Sequence, residues 1–135
     1  MEIKTNVMRI LDKAKIQYTP HFYDNKDGRI DGIAVAEKIG KPVESVFKTL
    51  VTKYERDFFV FVTPVAKELN LKKCAKAVGE KAVEPIAVKE LLPLTGYVRG
   101  GCSPIGMKKQ FLTIFDCSSN NYETIIFSAG KIGYQ

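Results

Sequence analysis

Residues 46–54 and 58–62 are two β-rich runs separated only by Glu55-Arg56-Asp57, a charged connection about as long as a hairpin loop. Antiparallel pairing of these runs is the strongest local constraint on the chain, and every other element has to be arranged around that hairpin. There are 135 residues to do it with, close to the usual size of one domain and too few for two ordinary ones. A single domain spanning residues 1–135 is expected. A chain of this length buries roughly two-thirds of the surface its unfolded form exposes, so neither a disulfide framework nor a structural metal is needed to hold it.

Ahead of the hairpin, Thr5 or Asn6 can cap a helix in which Val7, Ile10, Leu11 and Ala14 recur at the spacing of an amphipathic face. Residues 16–23 read as a strand: Tyr18, Phe22 and Tyr23 favour extended backbone, and Pro20 confines the segment to an edge or an interruption. Residues 24–31 carry turn chemistry in Asn25, Asp27 and Gly28. A short helix through Ile33, Ala36 and Ile39 follows, and Gly40 is placed to end it in a left-handed conformation before Pro42. After the hairpin, Asn70 can cap a helix through Leu71, Cys74, Ala75 and Val78 that Gly79 closes, and a second short helix covers residues 87–92 ahead of Pro93. Residues 97–99, 111–115 and 124–128 return to strand patterns. Helices and strands mix without a strict βαβ alternation, so the expected class is α+β with a largely antiparallel or mixed curved sheet.

Several function classes fall away at this stage. The longest apolar runs are far shorter than the roughly 20 residues needed to cross a bilayer, and Glu2, Lys4 and Arg9 interrupt the N-terminus where a secretory signal would be apolar. A cytoplasmic protein without membrane contact is expected. Cys74, Cys102 and Cys117 are widely spaced and form no Cys-x-x-Cys or Cys/His cluster, so no metal site and no cofactor is expected. His21 is the sole histidine, and any Ser-His-Asp or Cys-His mechanism would depend on that one ring. Subtracting 15 acidic from 21 basic residues gives a net charge of +6, which suits an anionic partner such as a nucleic acid and equally an ordinary basic protein.

Two places could carry chemistry. Period-2 alternation puts Lys48 on the same strand face as Val46 and Leu50. Such a lysine either snorkels along an apolar edge or projects into a cavity, where low dielectric strengthens its pull on a phosphate or a developing oxyanion. The loop Gly100-Gly101-Cys102-Ser103-Pro104-Ile105-Gly106 lets backbone approach a ligand closely and aim N–H groups at it, or is simply a connection between strands. It is neither a phosphate-binding P-loop nor a dinucleotide fingerprint. A nucleophilic Cys102 would need a base that only His21 could supply. Lys72, Lys73 and Lys76, and Lys108 with Lys109, could contact phosphates or form a solvated face.

The order Val46-Phe47-Lys48-Thr49-Leu50, Val62-Thr63-Pro64-Val65-Ala66, Leu71-Lys72-Lys73, then Thr95-Gly96-Tyr97 with the glycine loop and Ser128-Ala129-Gly130-Lys131, resembles the YbaK/EbsC family across essentially the whole chain. These are aminoacyl-tRNA deacylases, typified by the enzyme that removes cysteine mischarged on proline tRNA, and are related to the editing insertion domain of bacterial prolyl-tRNA synthetase. The resemblance implies a curved, barrel-like mixed sheet flanked by helices and a protein whose partners are mischarged tRNA(Pro) and, as a candidate, prolyl-tRNA synthetase. By position, Lys48 resembles the family's essential lysine and Gly100 to Pro104 its Gly-x-x-x-Pro loop, continued by Ile105 and Gly106. Tyr23 matches a pocket tyrosine, Thr49 and Ser103 stand at pocket hydroxyls, Cys102 replaces a common aliphatic residue, and Gln135 falls where many members have aspartate. The implied chemistry is attack by the cysteinyl thiol on its own ester, with amides of Gly101, Cys102 and Ser103 holding the carbonyl oxygen. The alternatives are an Ala-tRNA(Pro) deacylase using a bound water and a non-catalytic module that binds tRNA or the synthetase.

Overall fold

The structure, a computed structural model, describes residues 4–135; Glu2 of the N-terminal charge pattern lies outside them. Its centre is the expected hairpin. Strands β1 (Phe47–Tyr54) and β2 (Asp57–Pro64) pair antiparallel from Phe47↔Pro64 to Tyr54↔Asp57, so only Glu55 and Arg56 form the turn. Glu55 adopts a left-handed φ of 55° to close so short a loop, a conformation glycine would take more easily. Strand β2 is the most apolar element, with Phe59, Val60, Phe61 and Val62 all buried. That suits an inner strand covered on both faces.

Two short strands complete the sheet. Strand β3 (Glu84–Pro85) pairs antiparallel with β1, and β4 (Leu112–Phe115) pairs parallel with β2, giving the order β3-β1-β2-β4. The sheet is therefore mixed, as expected, but it is open: β3 and β4 are its edges, and among the described residues no strand closes it into a barrel. The reason lies in three segments read as strands from their β-rich composition. Residues 16–23 contribute one bridge, Phe22↔Tyr134, and residues 124–128 one bridge, Val46↔Ile126, while residues 97–99 pair with no strand and lead into the turn that Gly101 N closes on Val98 O.

The helices follow their caps. Thr5 Oγ1 accepts from Met8 N to start α1 (Asn6–Lys13), and Asp31 Oδ1 accepts from Ala34 N to start α2 (Gly32–Ile39). Asn70 Oδ1 accepts from Lys73 N at the head of α3 (Leu71–Val78), and Gly40 and Gly79 end α2 and α3 in left-handed conformations. Helix α4 (Val88–Thr95) departs from expectation by running through Pro93 instead of ending before it. The missing proline N–H would have paired with the carbonyl of Lys89, which is exposed and can be solvated. Glu90 Oε2 accepts from Ala87 N at 2.8 Å and secures the start of this helix in the absence of a capping side chain.

Helix α3 lays Cys74 and Ala75 on Phe59 and Phe61, forming one core with Val83. A second cluster joins Val7 of α1 to Tyr97 and Cys102, with Leu91 of α4 and Ile105 packed against it. Among the described residues no helix is long and apolar enough to cross a membrane.

Candidate functional site

Strand pairing fixes the surroundings of Lys48. Its direct cross-strand partner is Thr63, so both side chains lie on one face of the sheet. Leu50 shares that face, as the alternation predicts, and the α3 core covers it further along, through Phe59 and Phe61. Lys48 is partly buried, and among the described residues its ammonium enters no ion pair and no hydrogen bond. An ammonium held against apolar surface without a carboxylate retains its full attraction for an anionic group.

The hydroxyls beside it are unusual. Thr49 Oγ1 and Thr63 Oγ1 are buried and have no hydrogen-bond partner, and Gln135 Oε1 is the other such side-chain atom among the described residues. Burying a hydroxyl unpaired costs about 1–3 kcal/mol, and more than nine in ten buried polar groups avoid it. Two of these atoms sit on the residues next to and opposite Lys48. Thr49 occupies the opposite sheet face from Lys48, so one strand presents the two groups in different directions. Thr63 stands in one of the motifs that carry the resemblance but has no site role there; the register Lys48↔Thr63 is the signal that gives it one, and it requires the hairpin to be aligned residue by residue.

Local hydrogen bonds define the glycine loop. Gly101 N donates to Val98 O at 3.0 Å, Ile105 N donates to Ser103 Oγ at 3.2 Å, and the Tyr97 hydroxyl donates to Ile105 O. The amide of Gly101 is thus already committed, whereas those of Cys102 and Ser103 have no acceptor among the described residues. Ser103 is fully buried and its hydroxyl is engaged in the turn. Cys102 faces the Val7–Tyr97 cluster, and burial pushes its thiol up to about 11. A protonated thiol packed in a core is not a nucleophile. Pro104 and Ile105 are partly buried and Gly106 is exposed. The ring of Tyr97 stands against two glycines: a Cβ at Gly106 would lie 2.8 Å from its hydroxyl, and one at Gly130 would lie 3.0 Å from its Cε1.

The remaining positions connect through their neighbours. A Cβ at Gly101 would lie 3.1 Å from Ile132 N, and the next residue, Gly133, accepts from Tyr23 N at 3.0 Å. Tyr23 and the loop therefore flank the same C-terminal segment. The Lys38 ammonium lies 5.8 Å from the Tyr23 ring centre while bonding Asp24 O, Asp27 Oδ1 and Arg29 O, which holds Tyr23 beside α2. On the other flank, a Cβ at Gly100 would lie 2.8 Å from Ile30 Cδ1, and Gly32 touches Val65, two residues beyond Thr63. The link from the Lys48 end of the sheet to the loop runs through these contacts at the start of α2.

A large concavity lies elsewhere. It has a volume of about 1010 Å³ between α1, residues 16–21, residues 124–129 and Gln135, and neither Lys48 nor the glycine loop lines it. His21, on its wall, is held below the ordinary imidazole value by burial and then by Lys41, and its backbone pairs with Gln135. No group of three or more His, Cys, Asp or Glu able to hold a metal occurs among the described residues.

A lysine without a counter-charge, unpaired hydroxyls and free loop amides suit an anionic or ester-bearing ligand, and comparison with known proteins gives that chemistry a context. Residues 31–135 match the family model described as the aminoacyl-tRNA editing domain. The chain belongs to that family. The EbsC protein of Enterococcus faecalis, whose name describes it as a Cys-tRNA(Pro)/Cys-tRNA(Cys) deacylase, is 45% identical over 133 residues, covering 98% of this chain and 81% of its own length. Two solved structures share the fold. A protein described as a trans-editing enzyme for prolyl tRNA synthetase superposes with a TM-score of 0.82 at 19% identity, over 98% of this chain and 85% of that one. The hypothetical protein APE2540 superposes with a TM-score of 0.85 at 18% identity, over 95% of this chain and 84% of that one. The α+β class is therefore the editing-domain fold, and this editing-domain protein is an aminoacyl-tRNA deacylase by family.

Proposed function

We propose that this editing-domain protein removes cysteine from mischarged tRNA(Pro), within one domain spanning residues 1–135. The observation that carries the reading is the partly buried, unpaired Lys48 with the orphaned Thr63 hydroxyl directly opposite it. The name of the 45% identical relative supports the amino acid and the tRNA. Lys48 binds the phosphate next to the terminal adenosine or the charge that develops on the ester oxygen, and Thr63 donates its hydroxyl to the same group. The amides of Cys102 and Ser103 hold the carbonyl oxygen, and Gly101, being engaged with Val98, sets the turn. Tyr23, Thr49, Gly100, Pro104, Ile105 and Gly106 line the substrate's path. Prolyl-tRNA synthetase is the partner that would supply mischarged tRNA.

So sparse a site suffices because the aminoacyl ester is already activated, and orientation with charge stabilisation does most of the work. The cysteinyl sulfur attacks its own carbonyl carbon, a C–S bond forms, and the C–O bond to the ribose breaks. The thiol proton passes to the departing ribose oxygen, leaving free tRNA and a cyclic thioester that water opens. The test is a deacylation assay with Cys-, Ser- and Ala-charged tRNA(Pro). Cys-tRNA is expected to react fastest, because serine's alcohol is a poorer internal nucleophile at neutral pH, and Lys48→Ala is expected to lose most of the activity while remaining folded. Equal rates on the cysteinyl and seryl substrates would replace the internal thiol with a bound water. An active Lys48→Ala protein would remove Lys48 from the chemistry.

A further inference from the structure

Helix α3 buries Cys74 and Ala75 and turns Lys72, Lys73 and Lys76 outward, and Lys67 is exposed just before it. Between residues 65 and 79 there are four lysines and one carboxylate, Glu68. None of the four lysines takes part in an ion pair among the described residues, where the pairs are Lys4–Asp12, Arg29–Glu37, Lys38–Asp27 and Lys53–Glu90. Lys72 and Lys76 stand one turn apart on one helix flank, about 6 Å along the axis. Like charges at that spacing weaken a helix, so the arrangement is favourable chiefly when something negative lies across it.

The ridge starts at the candidate site. Lys67 N donates to Pro64 O at 3.1 Å, immediately after Thr63. Asp116 N donates to Val62 O at 2.8 Å, placing Asp116 at the same end of β2. The Asp116 carboxyl is held low mainly by the Ser118 hydroxyl, with Lys67 and Lys73 adding to the effect at longer range. The first turn of α3 therefore borders the end of the sheet where Lys48 and Thr63 lie, and Lys76 leads away from it.

We infer that Lys67, Lys72, Lys73 and Lys76 form a phosphate-binding rail along which the acceptor stem of the tRNA lies while its aminoacylated end reaches Lys48. The inference rests on the deacylase reading for the identity of the polyanion. A double-helical RNA fits it better than a small anion because the charges form a line leading out of the site and do not converge on one point. Such contacts position the nucleic acid without reading its sequence and release counterions when they form.

The test compares wild type with Lys72→Gln/Lys73→Gln/Lys76→Gln, in which glutamine keeps helix propensity while removing charge. Two substrates are used: full-length Cys-tRNA(Pro) and a minimal cysteinyl-adenosine ester. The variant is expected to raise KM for the tRNA about tenfold or more and to reduce the salt slope of tRNA binding by roughly 2, at about 0.7–0.9 per lost phosphate contact. Its turnover of the minimal ester is expected to match wild type. An unchanged KM and salt slope would refute the rail, and so would an equal loss on both substrates, which would assign α3 to the integrity of the site. Binding of uncharged tRNA at several salt concentrations tests the rail separately. If wild type cleaves neither ester, the deacylase reading fails, and the rail stands or falls on that binding slope.

Discussion

Gly32→Ala puts the packing between α2 and the Lys48 end of the sheet to a quantitative test. Gly32 is the first residue of α2, and a Cβ built there falls far inside van der Waals contact with Val65 Cβ and Cγ1, with Cγ2 at 3.2 Å. Ordinary carbon contacts lie at about 3.5–4.0 Å, so the head of α2 or the chain leaving β2 has to move by about 1 Å. Overpacking of this kind typically costs about 1–3 kcal/mol, and a contact this close belongs at the upper end. Alanine returns at most about 1 kcal/mol of helix propensity, and less at a first-turn position. The net expectation is a loss of roughly 2 kcal/mol. At about 4 °C per kcal/mol for a chain of this size, Tm should fall by roughly 8 °C, readable by thermal unfolding followed by circular dichroism. Because Val65 Cβ is itself part of the clash, Val65→Ala should not rescue the variant, whereas Val65→Gly should recover part of the loss. A Gly32→Ala protein as stable as wild type, or more so, would refute the packing argument, since helix propensity alone predicts that outcome.

Thr63→Val removes a buried hydroxyl that has no partner, so Tm should stay equal or rise by up to about 1 kcal/mol equivalent while deacylation falls; a lower Tm would mean the hydroxyl is structural, and unchanged kcat/KM would take Thr63 out of the site. Cys102→Ala should retain activity and change the pH dependence of stability. Burial pushes the wild-type thiol from its ordinary 9.0 up to about 11, so the unfolded state loses its proton first and stability falls as pH rises across that window, by about 3 kcal/mol in all. Urea midpoints at pH 8 and pH 10.5 should therefore drop further for wild type than for Cys102→Ala, and equal drops would contradict the burial of the thiol.

What could be read in advance was whatever residues dictate locally. The hairpin followed from two apolar runs and a charged break, and α3 from Asn70 at its head and Gly79 at its tail. Extended segments without a neighbouring partner were not decided locally. Residues 16–23 have β-rich composition, yet their partners are the last residues of the chain, through His21 with Gln135 and Tyr23 with Gly133, and Pro20 limits the ladder to a single bridge. Residues 97–99 follow the left-handed Gly96 directly, and the hydrogen bond from Tyr97 to Ile105 turns that stretch inward before it can extend. At the site, Lys48 and the loop were visible as residue types in an order. The role of Thr63 was hidden because it depends on what lies across the strand, and the commitment of the Gly101 amide depends on the four-residue turn from Val98 to Gly101.

The contacts of Tyr97 with Gly106 and Gly130 limit how this protein could be retuned. Both glycines have positive φ, 80° and 92°, and each lies close under the same aromatic ring. Diversifying the loop for a new amino acid while keeping that ring would yield mostly misfolded clones at position 106, however well the other positions tolerated change. A library that lets 97, 106 and 130 vary as a linked trio would explore shapes that point-by-point evolution of the loop cannot reach.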